Sequence, residues 1–341
     1  MEKYFKNKKI LITGGTGSIG SSIVKKLLEY KCNTIRVLGS DENGLHNLSL
    51  QLGENSNFFD SMKKNRIRYM YGDITDQDRM LTSCEDVNII IHAAAMKHVP
   101  ICEYNPFEAT KVNVIGTQNI IKAALAQKVE KFVLISTDKV VDPTTCLGAT
   151  KLLAEKISIN SNLIKGKKKT IFSVVRFGNV IGTRGSVLPK FIYQLKNNEN
   201  ITLSDEYSTR FFVTVKDSVK SIFDAILLMK GGEVFIPKTI NAIKISDLAH
   251  SLSNYYSESK SKIVFTGLRS GEKIHEKIIT VNEYSKLKYT KNLFVIDSHN
   301  TQKLKKITKK INYFDSSKAN LLNQHEIIKY LEKNLLIKKV N

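Results

Sequence analysis

Short apolar runs ending in glycine or small polar residues alternate, along the first half of the chain, with longer stretches whose apolar residues fall three or four apart. KILITGG at 9–15 is such a run and predicts a strand. SIGSSIVKKLLEYK at 18–31 predicts a helix with Ile19, Ile23, Val24, Leu27 and Leu28 along one stripe. The same rhythm continues through strands TIRVLGS, RIRYMYGD, VNIIIHAAA, KFVLIST and TIFSVVRFGN. Helices are predicted over PFEATKVNVIGTQNIIKAALAQK and from about Leu147 to Ile159. Repeated strand-helix alternation predicts an α/β chain with a Rossmann-type, doubly wound parallel sheet covered on both faces.

Beyond about residue 180 the rhythm loosens. One strand, GEVFIP, and two helices, VKDSVKSIFDAILLMK and ISDLAHSLSNYY, stand among irregular polar segments, which predicts a smaller α+β lobe. The expected division is 1–180 for the sheet domain and 181–341 for the lobe and a C-terminal extension, with interleaving of the two left open. The lysine- and asparagine-rich tail from about residue 284 shows only a strand, LFVI, and an amphipathic helix near HEIIKYLEKNLL.

Composition narrows the class. With 341 residues, 42% hydrophobic and 25% charged, the chain can bury a sizeable core. It has no apolar run long enough for a membrane span and no signal peptide, so a cytoplasmic protein with no membrane partner is expected. Four scattered cysteines, with no C-x-x-C pair, predict reduced thiols and no metal site. The net charge of +21 raises the question of nucleic acid. Lysine is dispersed along the whole chain, though, with its densest runs at 165–169 and 303–310, so a solvated lysine-rich surface is favoured over polyanion binding and no nucleic-acid partner is expected.

TGGTGSIG places Gly14, Gly17 and Gly20 at G-x-x-G-x-x-G spacing between the first strand and the first helix. Glycines there permit a tight turn and close approach of a pyrophosphate, whose charge sits at the helix N-terminus. A glycine pattern alone is weak, but its strand-before, helix-after context points to a dinucleotide, NAD or NADP, held by Gly14, Thr16, Gly17, Ser18, Ile19 and Gly20. Ser40 and Asp41 end the second strand, where an acidic side chain accepts from the adenosine ribose hydroxyls. The absence of an arginine there tilts the expectation toward NAD. Asp73 and Ile74 after the third strand are expected to bracket the adenine, the rival role for Asp73 being a helix N-cap.

The segments TGGTGSIGS, HAAAMKHVPICEYNPFEATKVNVIGTQN, LISTDKVVDPTTCLGATKLLAEK, VVRFGNVIGTRGSVLPKF, STRFFVTVKD and TGLRSGEKIHEKI together resemble the extended short-chain dehydrogenase/reductases. Specifically, they resemble the UDP-N-acetylglucosamine 4,6-dehydratases of bacterial glycan synthesis, from about residue 8 to 280. That resemblance implies an internal redox cycle: hydride leaves sugar carbon 4, water is lost across carbons 5 and 6, and hydride returns to carbon 6. It implies that Asp138 protonates the leaving hydroxyl, Lys139 removes the carbon 5 proton and Thr137 bonds near carbon 4, while Lys151 holds the nicotinamide ribose. A surface ion pair is the plainer reading of Asp138-Lys139.

The chain departs from most of that superfamily at Leu147, where Tyr-x-x-x-Lys would place a phenol. The resemblance is therefore to a tyrosine-less branch, and the base for the first oxidation is left among Lys139, Asp138 and a water held by Thr137. By the same resemblance Ala93, Ala94, Ala95, Lys97 and Asn113 border the cofactor. Lys97, His98, Asn179, Arg184, Arg210, Arg269 and Glu272 then meet the UDP-sugar, arginine suiting a diphosphate by its bidentate fork. Assembly into a homo-oligomer is expected on the same basis. The rivals are an epimerase or 4-keto reductase of the same fold and an inactive dinucleotide-binding protein.

Overall fold

The computed structural model describes residues 1–53, 66–256, 261–297, 304–307 and 314–338. Seven parallel strands form the centre of one large sheet: β1 (Lys9–Thr13), β2 (Thr34–Gly39), β3 (Ile67–Tyr71), β4 (Ile89–His92), β5 (Lys131–Thr137), β6 (Ile171–Phe177) and β10 (Glu233–Pro237). They lie in the order 3-2-1-4-5-6-10. The strand order reverses between β1 and β4, so a crevice opens outside their carboxyl ends, where open α/β sheets bind ligands.

The helix Ser18–Leu28 turns Ile23, Val24 and Leu27 onto the sheet, fully buried, each contributing about 1.5–3 kcal/mol relative to exposure. The predicted helix near 147 runs Cys146–Ile164, started by Thr145, whose hydroxyl accepts from Gly148 N–H at 3.1 Å. The helix read through 106–128 is interrupted by a wider π turn at Lys111–Gly116. There Asn113 is drawn into side-chain bonds with Met96 and Thr150, and such single wide turns gather at functional sites.

The boundary at residue 180 is crossed repeatedly. β10 joins β6 in parallel, and β14 (Leu293–Asp297), β13 (Leu287–Tyr289) and β15 (Lys305–Lys306) extend the same sheet antiparallel. The lobe consists of β7 (Asn179–Val180), β9 (Thr209–Val213) and β11 (Asn241–Lys244) in one small sheet, and of β8 (Ile201–Leu203) paired with β12 (Ile263–Phe265) in another. The tail's strand is β14, and its amphipathic helix is Gln324–Lys333, whose Ile327 and Leu331 pack with Phe191, Phe212 and Leu248 of the lobe. Of the lysine run at 303–310, positions 303 and 308–310 lie outside the described residues.

Arg176 of β6 ties these parts together. Its guanidinium is 1% exposed and donates to Glu155 at 2.7 and 3.1 Å, to both carboxylate oxygens of Glu283 at 2.9 Å, and to the Ile278 carbonyl at 3.0 Å. A buried charge with all these partners is satisfied, and it fixes the 278–283 segment against the sheet.

Candidate active site

At the crevice, Gly14 adopts φ +64°, and a Cβ there would lie 2.7 Å from Ala94 N. A Cβ on Gly20 would fall 2.2 Å from the Gly14 carbonyl oxygen. Glycine at both positions lets the turn press against the Ala93-Ala94-Ala95 segment and lets the helix begin beside the turn. Gly17 precedes that helix without a side-chain cap, so the first-turn N–H groups at Ser18, Ile19 and Gly20 face a possible anion. Ala93 N–H donates to Thr13 O, and Ala94 N–H to the Thr13 hydroxyl at 3.3 Å.

Behind this turn a bonded chain runs inward. The Thr13 hydroxyl meets His92 Nδ1 at 2.6 Å, His92 Nε2 meets the Thr117 hydroxyl at 3.1 Å, and that hydroxyl donates to Asn113 O at 2.7 Å. Burial, aided by the charge of Lys151, lowers the His92 pKa to about 3, so the ring is neutral. Sequence reasoning did not single out His92, whose only linear signal is a lone polar residue ending an apolar strand.

Several expected cofactor contacts have other duties. Asn113 is 1% exposed and clamps Met96: Oδ1 accepts from Met96 N–H at 2.8 Å, and Nδ2 donates to Met96 O and to Thr150. It therefore shapes the 93–98 loop from beneath. Ile74 is buried in the core, with its side chain beside Gly116. Asp73 accepts from Thr75 N–H, and the helix N-cap is Asp76. Ser40 and Asp41 are exposed, and Asp41 caps the helix Glu42–Gln51 through Gly44 N–H at 2.9 Å.

Arg184, expected at the sugar nucleotide, lies instead on the glycine turn. Its guanidinium donates to Thr16 O at 2.5 Å and its backbone N–H to the Ser18 hydroxyl at 3.2 Å. It lines a cavity of about 470 Å³ with Thr16, Ser18, Gly44, Asn47 and Gln51. Lys97 Nζ donates to Arg184 O at 2.7 Å, and His98 packs on Gly185, so the 97–98 and 184–185 segments close over the same end of the crevice.

At the end of β5, Thr137 donates to Asp138 Oδ1 at 2.9 Å, and Lys139 Nζ donates to the same oxygen at 3.0 Å and to Asn179 Oδ1 at 3.0 Å. Asp138 is fully buried, and its Oδ2 has no hydrogen-bond partner among the described residues. An unsatisfied buried carboxylate oxygen costs about 1–3 kcal/mol or more, so Oδ2 is an acceptor open to a further donor. Glu276, which sequence reasoning passed over, brings Oε1 within 3.9 Å of Lys139 Nζ and Oε2 within 3.6 Å of Lys273 Nζ. Burial opposes the charge on Lys139, but Asp138 and Glu276 outweigh it and raise its pKa above the ordinary lysine value. Burial pushes the Glu276 pKa up against the pull of Lys139.

The sequence and the fold are shared with known proteins. A family model described as polysaccharide biosynthesis protein matches residues 10–298. The chain belongs to that family. It is 44% identical to a UDP-N-acetylglucosamine 4,6-dehydratase (inverting) of Campylobacter jejuni, over 82% of this chain and 79% of that one. It is 44% identical to an uncharacterized membrane protein of Methanocaldococcus jannaschii over 97% of both, and 35% identical to a UDP-glucose 4-epimerase of Rickettsia bellii over 86% and 83%. Among solved structures, Pen from Bacillus thuringiensis superposes with a TM-score of 0.89 at 36% identity, covering 99% of this chain and 100% of that one. No helix among the described residues is long and apolar enough to cross a membrane.

In this family member, the lysine of the Tyr-x-x-x-Lys position, Lys151, is 6% exposed and donates to Ile135 O at 2.7 Å. Leu147 stands where the phenol would be, packed in an apolar cluster with Cys102, Ala109, Met96 and Val99. A second cleft of about 260 Å³ in the lobe brings together Asn179, Lys190, Arg210, Arg269 and Glu272. Arg210 is 8% exposed, and its terminal nitrogens donate to the Thr209, Ile274 and Lys273 carbonyls and to Glu272, so it holds the 272–274 loop as well as lining the cleft.

Proposed function

We propose that the chain is a UDP-N-acetylglucosamine 4,6-dehydratase that forms a UDP-4-keto-6-deoxy-HexNAc with a recycled nicotinamide dinucleotide, for surface-glycan aminosugar synthesis. The observation that carries the reading is the Asp138-Lys139 pair at the carboxyl end of β5, with Asp138 buried and its Oδ2 unpartnered among the described residues. The dinucleotide fits the glycine turn, because Gly14 and Gly20 let the turn pack tightly between the 93–94 backbone and the start of the helix, leaving the uncapped helix N-terminus at Gly17 for its pyrophosphate. When bound, the nicotinamide supplies hydride exchange with the sugar. The uncrowded, exposed Ser40-Asp41 edge suits a ribose hydroxyl and favours NAD.

Because Leu147 supplies no phenol, Asp138 is the base for the first step. Its free Oδ2 accepts the carbon 4 hydroxyl proton as hydride leaves that carbon, and the same proton then goes to the departing carbon 6 hydroxyl, which leaves as water. Lys139 takes the carbon 5 proton and returns a proton there. Thr137 and Lys139 hold Oδ1, so the carboxyl presents one fixed oxygen to the sugar. Arg269, Glu272 and Asn179 line the cleft for the UDP group, and Arg184 and Lys97 close over the pyrophosphate end of the dinucleotide.

Proton NMR of the purified protein with UDP-N-acetylglucosamine in deuterated water, without added cofactor and then with NAD and NADP, tests the reading. A new 6-deoxy methyl signal with deuterium at carbon 5 is the expected result, and an unchanged spectrum overturns it. The epimerase-named relative supports a second reading, 4-epimerisation, which would give a new anomeric signal and no methyl.

A further inference from the structure

If Lys139 is the base for carbon 5, it must act as a neutral amine, yet two carboxylates hold it as an ammonium. A neighbouring group has to take that proton. Asp138 is engaged with the hydroxyls at carbons 4 and 6, which leaves the other carboxylate in ion-pair reach of Lys139.

We propose that Glu276 is a positioning residue that accepts the Lys139 proton and so frees the amine that removes the carbon 5 proton. The inference rests on the dehydratase reading. Lys139 has 22% of its side chain exposed while Glu276 has 5%, so Lys139 meets the crevice and Glu276 stands behind it. Glu276 is placed by its segment. The Thr144 hydroxyl donates to Gly271 O at 2.6 Å, Lys273 Nζ to Val141 O at 2.7 Å, and Lys277 pairs with Asp142 at 3.0 Å, so residues 271–277 are stitched to the loop after Lys139. From the other side Ser316, fully buried, accepts from Glu276 N–H at 2.8 Å and returns its own N–H to Glu276 O at 2.9 Å. The C-terminal extension thereby fixes the Glu276 backbone from beneath.

Glu276 Oε2 has no hydrogen-bond partner among the described residues, and the charged groups facing the carboxyl are Lys139, Asp138, Arg210 and Lys273. Lys139 is in turn faced by Asp138, Glu276 and Arg210. Burial favours the neutral acid of Glu276, which suits a proton acceptor placed out of solvent.

A proton passes from Lys139 Nζ to a Glu276 oxygen, leaving an amine and a carboxylic acid. The amine lone pair takes the carbon 5 proton. The C–H pair becomes the carbon 5–carbon 6 double bond as the carbon 6–oxygen bond breaks, and the hydroxide leaves as water with the proton held by Asp138. When hydride reaches carbon 6, the double-bond electrons recover a proton at carbon 5 from the Lys139 ammonium, and Glu276 then returns its proton to the amine.

Glu276→Gln keeps the shape and removes the acceptor, and Glu276→Asp keeps the acceptor should the amide disturb folding. With full-length protein and UDP-N-acetylglucosamine, Glu276→Gln is expected to lose about 100-fold in methyl formation and carbon 5 deuterium uptake at pH 7. It should gain roughly tenfold per pH unit toward pH 9, because the amine is then freed by solvent alone, with Glu276→Asp between it and the wild type. Absorbance of the reduced nicotinamide on mixing should show carbon 4 oxidation within a few-fold of wild type. A purely structural role would lower both steps together with no recovery at high pH, and that result, or a wild-type pH profile for Glu276→Gln, overturns the inference. A wild type that converts no UDP-sugar overturns the dehydratase reading itself, whereas an active wild type beside an unaffected Glu276→Gln overturns this inference alone.

Discussion

Lys151 Nζ donates to the Ile135 carbonyl at 2.7 Å from a position 6% exposed, with Glu155 the acidic group that supports its charge. Burial lowers its pKa from 10.5 to about 8. The unfolded chain therefore binds more protons than the folded one between pH 8 and 10.5, and this group's contribution to stability rises across that window. Thermal unfolding of wild type and Lys151→Met from pH 7.5 to 10.5 should show the wild type gaining relative to the variant, by at most about 3 kcal/mol. A constant difference across that range would refute the assignment.

Asp138→Asn removes the acid-base group but keeps an oxygen for Thr137 and Lys139 to bond. Turnover of UDP-N-acetylglucosamine should fall by about 10³-fold or more while UDP binding by calorimetry stays within a few-fold. Equal losses in both would show that Asp138 serves the pocket's shape instead.

Arg184 rests on the glycine turn. Arg184→Ala is expected to weaken dinucleotide binding by about tenfold, on the order of one charge-assisted hydrogen bond to a phosphate, and to leave UDP affinity unchanged. Fluorescence titration with NAD and with UDP separates the two, and a loss confined to UDP would return Arg184 to the nucleotide-sugar cleft.

Leu147→Tyr restores the phenol's place in the sequence but not its surroundings, since Leu147 is packed against Cys102, Ala109 and Met96. Overpacking should cost about 1–3 kcal/mol in denaturant unfolding with no gain in turnover. A more active variant would show that the cluster yields and that Asp138 is not the sole base for carbon 4.

Arg176→Met takes from Glu155, 1% exposed, its hydrogen-bonded cation and leaves it only the charge of Lys151. Urea unfolding should show a loss of about 3–5 kcal/mol. A change under 1 kcal/mol would mean that the carboxylates become neutral at little cost.

What the sequence alone determined is what short-range periodicity and turn chemistry encode. Alternating strands and helices required a parallel sheet, Gly14, Gly17 and Gly20 placed a tight turn between the first strand and the first helix, and Asp138-Lys139 had to emerge at the end of β5 because the apolar run KFVLIST ends there. Burial repeats every two or about 3.6 residues, so those features are written locally. Tertiary structure decided which distant segments meet. Glu276 reaches Lys139 because residues 271–277 dock on the loop after β5 and are pinned by Ser316, while Arg184 crosses to the glycine turn. Strands beyond residue 230 return to the large sheet, so the two parts interleave across residue 180. Leu147 looks in sequence like a missing catalytic group, yet it fills an apolar cluster. Contacts of this kind depend on loop docking and charge burial between segments far apart in the chain, for which no spacing in the sequence carries a signal.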